Sequence, residues 1–251
     1  NTALGEQALA ENTTGDENTA IGRNALFANT TADNNTAVGS EALTANTTGA
    51  QNTAVGGLAL TANTTGSNNT AVGYAALDTA TTASDNTAIG YAANYALTTG
   101  TQNVSLGYRA MYTNTVGDRN VAIGYGALET YNPSSNEDSY NIGIGFYALQ
   151  ATTTGTNNTA VGGNAMLVNT TGSNNVAIGY QALDANTTGN TNVAIGQAAG
   201  TSNTTGGNNV FVGAAAGLNN TTGEYNVVVG RDAFYENTTG QYNVAIGYQA
   251  L

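Results

Sequence analysis

An all-β fold, a parallel β-solenoid or β-roll of 17-residue coils, is what this 251-residue sequence predicts, and three regularities predict it. The first is the period. A unit reading Asn-Thr/Val-Ala-Ile/Val-Gly-x-x-Ala-Leu-x-x-Asn-Thr-Thr-Gly-x-x starts at Asn1, Asn18, Asn35, Asn52, Asn69, Asn86, Asn103 and Asn120. After a four-residue insertion it resumes at Asn141, Asn158, Asn175, Asn192, Asn209, Asn226 and Asn243, making fourteen full units and a fifteenth cut off at Leu251. The second is glycine at position five of every unit and usually at position fifteen, which breaks any helix spanning them. A helix–turn–helix repeat also needs about 34 residues. The third is a short β-prone segment ahead of the first glycine, such as Asn175 to Gly179, whose fourth residue is aliphatic in every unit.

Each part of the unit then has an expected place. Strand side chains alternate between faces, so positions two and four share one face and are expected to line the coil interior. Position three faces the other way. It is Ala3, Ala20, Ala37, Ala54, Ala71, Ala88, Ala122, Ala160, Ala177, Ala194 and Ala245, with Ser105, Gly143, Phe211 and Val228 in the remaining units, and it is never charged. A strand apolar on both faces is covered on both, so these alanines are the expected oligomer-facing surface. Position five turns the chain. The invariant Ala at position eight and the usual Leu at position nine read as a second, shorter strand filling the interior. Asn-Thr-Thr-Gly forms a wider loop of residues suited to turns. At about 4.8 Å per coil, fifteen coils predict a rod of roughly 70 Å with a thin interior. No composition shift or linker divides it, so residues 1–251 read as one repeat domain.

Composition narrows the functional classes. Net charge is −12, and the four basic residues are Arg23, Arg109, Arg119 and Arg231. Phosphate neutralisation needs clustered Lys and Arg, so no nucleic-acid partner is expected. With no basic amphipathic stretch and no long apolar run, membrane insertion is not expected either. Lacking Cys, His and Lys, and with carboxylates such as Asp16, Glu17, Asp33, Asp85 and Asp118 at variable loop positions, the chain predicts no enzyme, no metal and no cofactor. Uncapped ends suggest a segment of something longer, or a subunit covered by neighbours.

The core of the unit, as in Asn-Val-Ala-Ile-Gly-Tyr-Gln-Ala-Leu at Asn175 to Leu183, resembles the head repeats of trimeric autotransporter adhesins. It is also similar to repeat arrays of phage tail-fibre proteins. The resemblance covers every unit. It implies a left-handed parallel β-roll, three chains about one axis, and an extracellular, cell-surface or virion-surface role in attachment.

Five features are candidate sites. The Asn at position one forms a column whose stacked amides can bond from rung to rung, and its expected role is support of the turn. Asn-Thr-Thr at position twelve is an N-glycan acceptor pattern, at Asn12, Asn29, Asn46, Asn63, Asn169, Asn186, Asn203, Asn220 and Asn237, expected along an exposed ridge. Asn34, Asn68, Asn103, Asn157 and Asn219 satisfy it too. Position six carries an aromatic ladder, Tyr74, Tyr91, Tyr108, Tyr125 and Phe146, with Tyr180 and Tyr248 later, which could grip sugars or stiffen the turn. Thr pairs such as Thr13 and Thr14 could order water as ice-binding solenoids do. The insertion, Tyr131 to Tyr140 with Pro133, Glu137 and Asp138, reads as a tolerated insertion in an exposed loop, the alternative being a protruding loop that contacts a receptor or a cation.

The function expected is a structural or adhesive shaft or head segment of an extracellular or virion-surface fibre, working as a homo-oligomer, with a cell-surface or carbohydrate partner. The alternatives are a self-assembling extracellular filament carrying N-glycans on the Asn-Thr-Thr loops, and an ice-binding Thr-rich solenoid.

Overall fold

The structure, a computed structural model, describes residues 1–135 and 138–251. The fold is an all-β parallel solenoid. Fifteen three-residue strands follow one another in chain order, from β1 (Thr2–Leu4) through β7 (Val104–Leu106) and from β8 (Val121–Ile123) through β15 (Val244–Ile246). They form two compact units. Unit 1 is residues 1–120 with 132–138 and holds β1 to β7; unit 2 is residues 121–131 with 139–251 and holds β8 to β15. Within each unit, neighbouring strands pair in parallel and in register, so that position three lies on position three, as in Ala20 to Ala37 to Ala54.

Register this strict stacks like on like, and the column is the natural way to describe the molecule. The alternation along the strand holds, but the two faces are reversed from the sequence expectation. Ala20, Ala37, Ala54, Ala71, Ala88, Ala122, Ala160, Ala177 and Ala194 are fully buried within their own chain, and Ala245 nearly so; of these alanines only Ala3, in the first coil, is exposed. They line the interior and cannot be an oligomer surface. Positions two and four point outward, with Ile21, Ile89 and Leu106 between 37% and 41% exposed. Alanine faces inward because the opposite wall, Ala at position eight and Leu at position nine, already fills the space.

Unit 2 demonstrates that facing relation. Phe211 replaces Ala at position three of its coil and is fully buried. Its ring lies against Gly200 and Gly217, which replace Leu at position nine. A Cβ added to Gly217 would come within 2.3 Å of the ring, and one at Gly200 within 2.6 Å. One large residue on one wall is balanced by two vacancies on the other, as close packing requires.

Among the described residues the second strand is not formed. Positions six to eleven run as turns because positions seven and nine adopt left-handed backbone, as at Asn24 (φ 58°) and Leu26 (φ 50°). Coil-to-coil bonding continues nonetheless: Leu26 N–H donates to the Ala42 carbonyl and Ala28 N–H to Thr44, each at 3.0 Å. The position-five glycine is required twice over. Gly22 has φ 134°, and a Cβ there would approach the Gly39 carbonyl oxygen to 2.4 Å.

Two asparagine columns complete the interior. At position one, Asn35 Nδ2 donates to the Gly49 carbonyl at 2.9 Å, and its Oδ1 accepts from the Asn52 backbone N–H at 2.9 Å. At position twelve, Asn46 Nδ2 donates to Asn29 Oδ1 at 2.9 Å and to the Gly49 carbonyl at 2.9 Å. Buried amides are tolerable because each is bonded; removing one partner strands the other at a cost of about 1–3 kcal/mol. The first column is the turn-supporting ladder the sequence suggested.

Candidate functional site

Three surfaces carry chemistry: the outward sheet face, a tyrosine-walled trough in unit 1, and the Asn-Thr-Thr loops.

The outward face is made by positions two and four of every strand. Of those thirty residues seven are Thr, the rest are Val, Ile or Leu, and none is charged. In unit 1 position two is Thr in six of the seven strands, so Thr and aliphatic columns run side by side. In unit 2 Thr159 is the one Thr, and the face is otherwise aliphatic.

The trough follows from three columns read together. Position six presents Tyr74, Tyr91 and Tyr108, stacked at 5.7 and 5.2 Å. Position ten presents Asp78, Tyr95 and Tyr112, with the two rings stacked at 5.2 Å. Between them, position seven is only Ala75 and Ala92, bounded by Leu58 before and Arg109 after. Two short side chains between two tall columns leave a cavity of about 430 Å³. The Arg109 guanidinium lies over the Tyr112 ring, 4.1 Å from its centre. Burial raises the Asp78 carboxyl above its ordinary pKa, opposed by a hydrogen bond from Thr61. The Asp78 charge is in turn the main cause of the raised Tyr95 phenol. The position-six ladder expected from sequence is thus present in unit 1, and Tyr125 and Phe146 continue the pattern in unit 2 at 5.6 Å. The Tyr95–Tyr112 wall, Asp78 and Arg109 were not singled out from sequence. Laying the chain out at its period of 17 and reading position seven as a gap would have found them.

The acceptor asparagines do not line the exposed ridge expected from sequence. Asn29, Asn46, Asn63, Asn169, Asn186, Asn203 and Asn220 are fully buried, and Asn12 and Asn237 are half-buried. Their amide nitrogens are donors in the position-twelve ladder, as Asn186 is to Asn169 at 2.8 Å and Asn237 to Asn220 at 3.2 Å. The folded chain has no room for a glycan on them. The Asn of the loop turns inward because its amide closes the carbonyl three residues on, as Asn46 does that of Gly49. Asn103 is buried as well, while Asn34, Asn68 and Asn157 are exposed.

In the Thr pairs, the first hydroxyl is engaged: Thr13 Oγ1 donates to the Thr30 carbonyl at 2.8 Å, and Thr47 to Thr64 at 3.0 Å. The second, as in Thr14 and Thr48, is exposed. The described part of the insertion is an exposed loop, with Asn132, Ser134, Ser135, Asp138 and Tyr140 exposed, and it is anchored at several points. Tyr131 and Pro133 are buried, Asn132 Oδ1 accepts from the Thr115 hydroxyl at 2.7 Å, and Asp138 pairs with Arg119. Glu137 lies outside the described residues. Among the described residues, no group of three or more His, Cys, Asp or Glu could hold a metal ion, and no helix is long and apolar enough to cross a membrane.

No protein-family model, no curated protein and no solved structure matches this chain.

Proposed function

We propose that this chain is a structural, self-associating segment of an extracellular or virion-surface fibre, with copies joined through the outward faces of their strands. What supports this reading is the composition of that face, thirty outward positions without a charge. A sheet that meets water on one side normally turns polar there, and large contiguous apolar patches mark interaction sites. In unit 2 the eight rungs, at about 4.8 Å each, make an aliphatic ribbon of about 35–40 Å. A second copy is the partner whose side chains interlock with that ribbon at every rung, because it carries the same spacing. The surface that joins copies is therefore positions two and four, and the alanines stay inside. The resemblance to trimeric adhesin heads makes three chains the expected number, and the adhesive part of the role belongs to the side columns.

Static light scattering tests it. The expected mass is three times the 25.2 kDa chain. Val193→Lys with Ile195→Lys places unpaired charges on the outward face of the strand Val193–Ile195 and should release monomers with an unchanged far-ultraviolet spectrum. A wild-type chain that is monomeric across the accessible concentrations overturns the proposal. An open-ended series of masses replaces the closed assembly with a filament.

A further inference from the structure

The trough in unit 1 has the chemistry of a ligand site, and nothing in the assembly reading requires it. We propose that the trough between Tyr74, Tyr91 and Tyr95 binds a short stretch of a neutral, linear hexopyranose glycan, with Asp78 and Arg109 fixing its hydroxyls. This deepens the adhesive reading by naming what is gripped.

Size is the first argument. At about 430 Å³ the cavity falls in the range of small-ligand sites, and it is open along one side, so a chain can lie in it without threading. The second is the character of the lining. Tyrosine offers an apolar body with a wet hydroxyl tip, and a pyranose ring alternates C–H and O–H groups in the same way. Tyr74 and Tyr91 are about half exposed, so their edges and hydroxyls are available.

A polar pair, Asp78 and Arg109, also lines the trough. Asp78 accepts hydrogen bonds and the Arg109 guanidinium donates them, and each sugar hydroxyl can do both. The two lie two coils apart, about 10 Å along the stack at the coil spacing, which suits contacts on sugar units two apart in a linear chain. The desolvation that raises the Asp78 carboxyl fits a group recessed in the trough.

The alternative occupant is an extended peptide. Peptides recognised by strand addition need free backbone N–H groups, and here they are engaged. Ala75 N–H donates to the Gly57 carbonyl at 3.0 Å, Ala92 to Tyr74 at 2.9 Å and Arg109 to Tyr91 at 3.0 Å. Side chains are all that the trough offers, which favours the saccharide.

A substitution that fills the trough without disturbing the coil is already present in the column. Leu58 stands at position seven with φ 59°, where Ala75 has φ 54° and Ala92 φ 51°. Ala75→Leu with Ala92→Leu therefore closes the trough in a backbone that accepts leucine. Cellotetraose and maltotetraose are the probes, titrated by calorimetry and by tyrosine fluorescence. At least one is expected to bind saturably, with affinity falling at least tenfold in the double leucine variant and severalfold in Asp78→Asn. Light scattering on the same samples reports assembly independently, so loss of glycan binding and loss of self-association are separable. The proposal is overturned if neither saccharide binds the wild type, or if binding survives the filled trough. It is also overturned if a proline-rich peptide binds the trough while both sugars fail.

Discussion

Unit 1 and unit 2 are built on the same seventeen positions and depart from them in opposite ways. In unit 2 the largest of the exceptional residues at position three, Phe211, is matched by Gly200 and Gly217 on the facing wall. In unit 1 the coil from Asn86 exchanges two interior residues instead. Asn94 stands at position nine, where Leu77 and Met111 flank it in the column, and Leu97 stands at position twelve in place of Asn. The exchange conserves bulk but breaks the hydrogen bonding. Both amide atoms of Asn94 are buried without a partner. Asn63 Oδ1 is also orphaned, because the next residue in its column is Ala80 rather than an asparagine that would donate to it. At Phe211 the change in volume is therefore compensated, while at Asn94 the change in polarity is not. The interior tolerates rearranged carbon far better than rearranged amides, because an apolar void can be refilled from across the coil whereas an unmet donor needs a partner at one distance and angle.

Three experiments press on this contrast. The largest effect is expected from Phe211→Ala, which empties a space that two glycines cannot refill. A loss of about 3–5 kcal/mol is expected from buried-Phe truncation, read as a shift in the urea midpoint. Adding Gly200→Leu and Gly217→Leu to it rebuilds the usual Ala–Leu pairing and should recover most of the loss. If the triple variant is no better than Phe211→Ala, the facing relation of positions three and nine is wrong.

Next comes Asn94→Leu with Leu97→Asn, which returns both residue types to their usual columns. The amide introduced by Leu97→Asn can donate to the Gly100 carbonyl and accept from Asn114, as its counterparts do elsewhere in the column. Removing the orphaned amide should stabilise unit 1 by about 1–3 kcal/mol, seen as a higher thermal midpoint. An unchanged or lower midpoint means that the Asn94 amide is satisfied in solution.

The smallest effect concerns position ten, which holds one aspartate in each unit. Asp78 and Asp184 stand at position ten, both raised by burial, but only Asp78 has a hydrogen bond that offsets it. One Asp184 oxygen is buried without a partner. A raised pKa means that the folded chain holds this proton more tightly than the unfolded chain does. Ionisation therefore costs stability as pH rises through the folded value, and the cost disappears below the ordinary value of 3.8. Asp184→Asn should stabilise modestly at pH 7 and have no effect at pH 3. Equal effects at both pH values would trace the change to something other than charge.

Much of the solenoid could be read in advance from particular residues. Glycine at position five is dictated by a backbone at φ near 135° lying against the next coil's carbonyl, and an invariant glycine is how that appears in a sequence. The position-one Asn column was readable because stacked amides have few other uses in a periodic fold. The acceptor pattern at Asn29 or Asn186 misled, since three letters do not say whether an amide meets water or a carbonyl three residues later. The trough escaped notice because its decisive members, Ala75 and Ala92, matter for what they leave empty.

The sequence by itself determined the period, the strand in each coil, its parallel in-register stacking and the opposition of position three to positions two and four, since all of these follow from local backbone preference repeated at constant spacing. Which of those faces is inside was decided only by the tertiary structure. Alternation separates two faces without ranking them; the ranking depends on how much volume the facing wall supplies. In most coils leucine at position nine and the two asparagine columns leave room for only a small residue at position three, usually alanine, and that sends the larger aliphatic side chains outward.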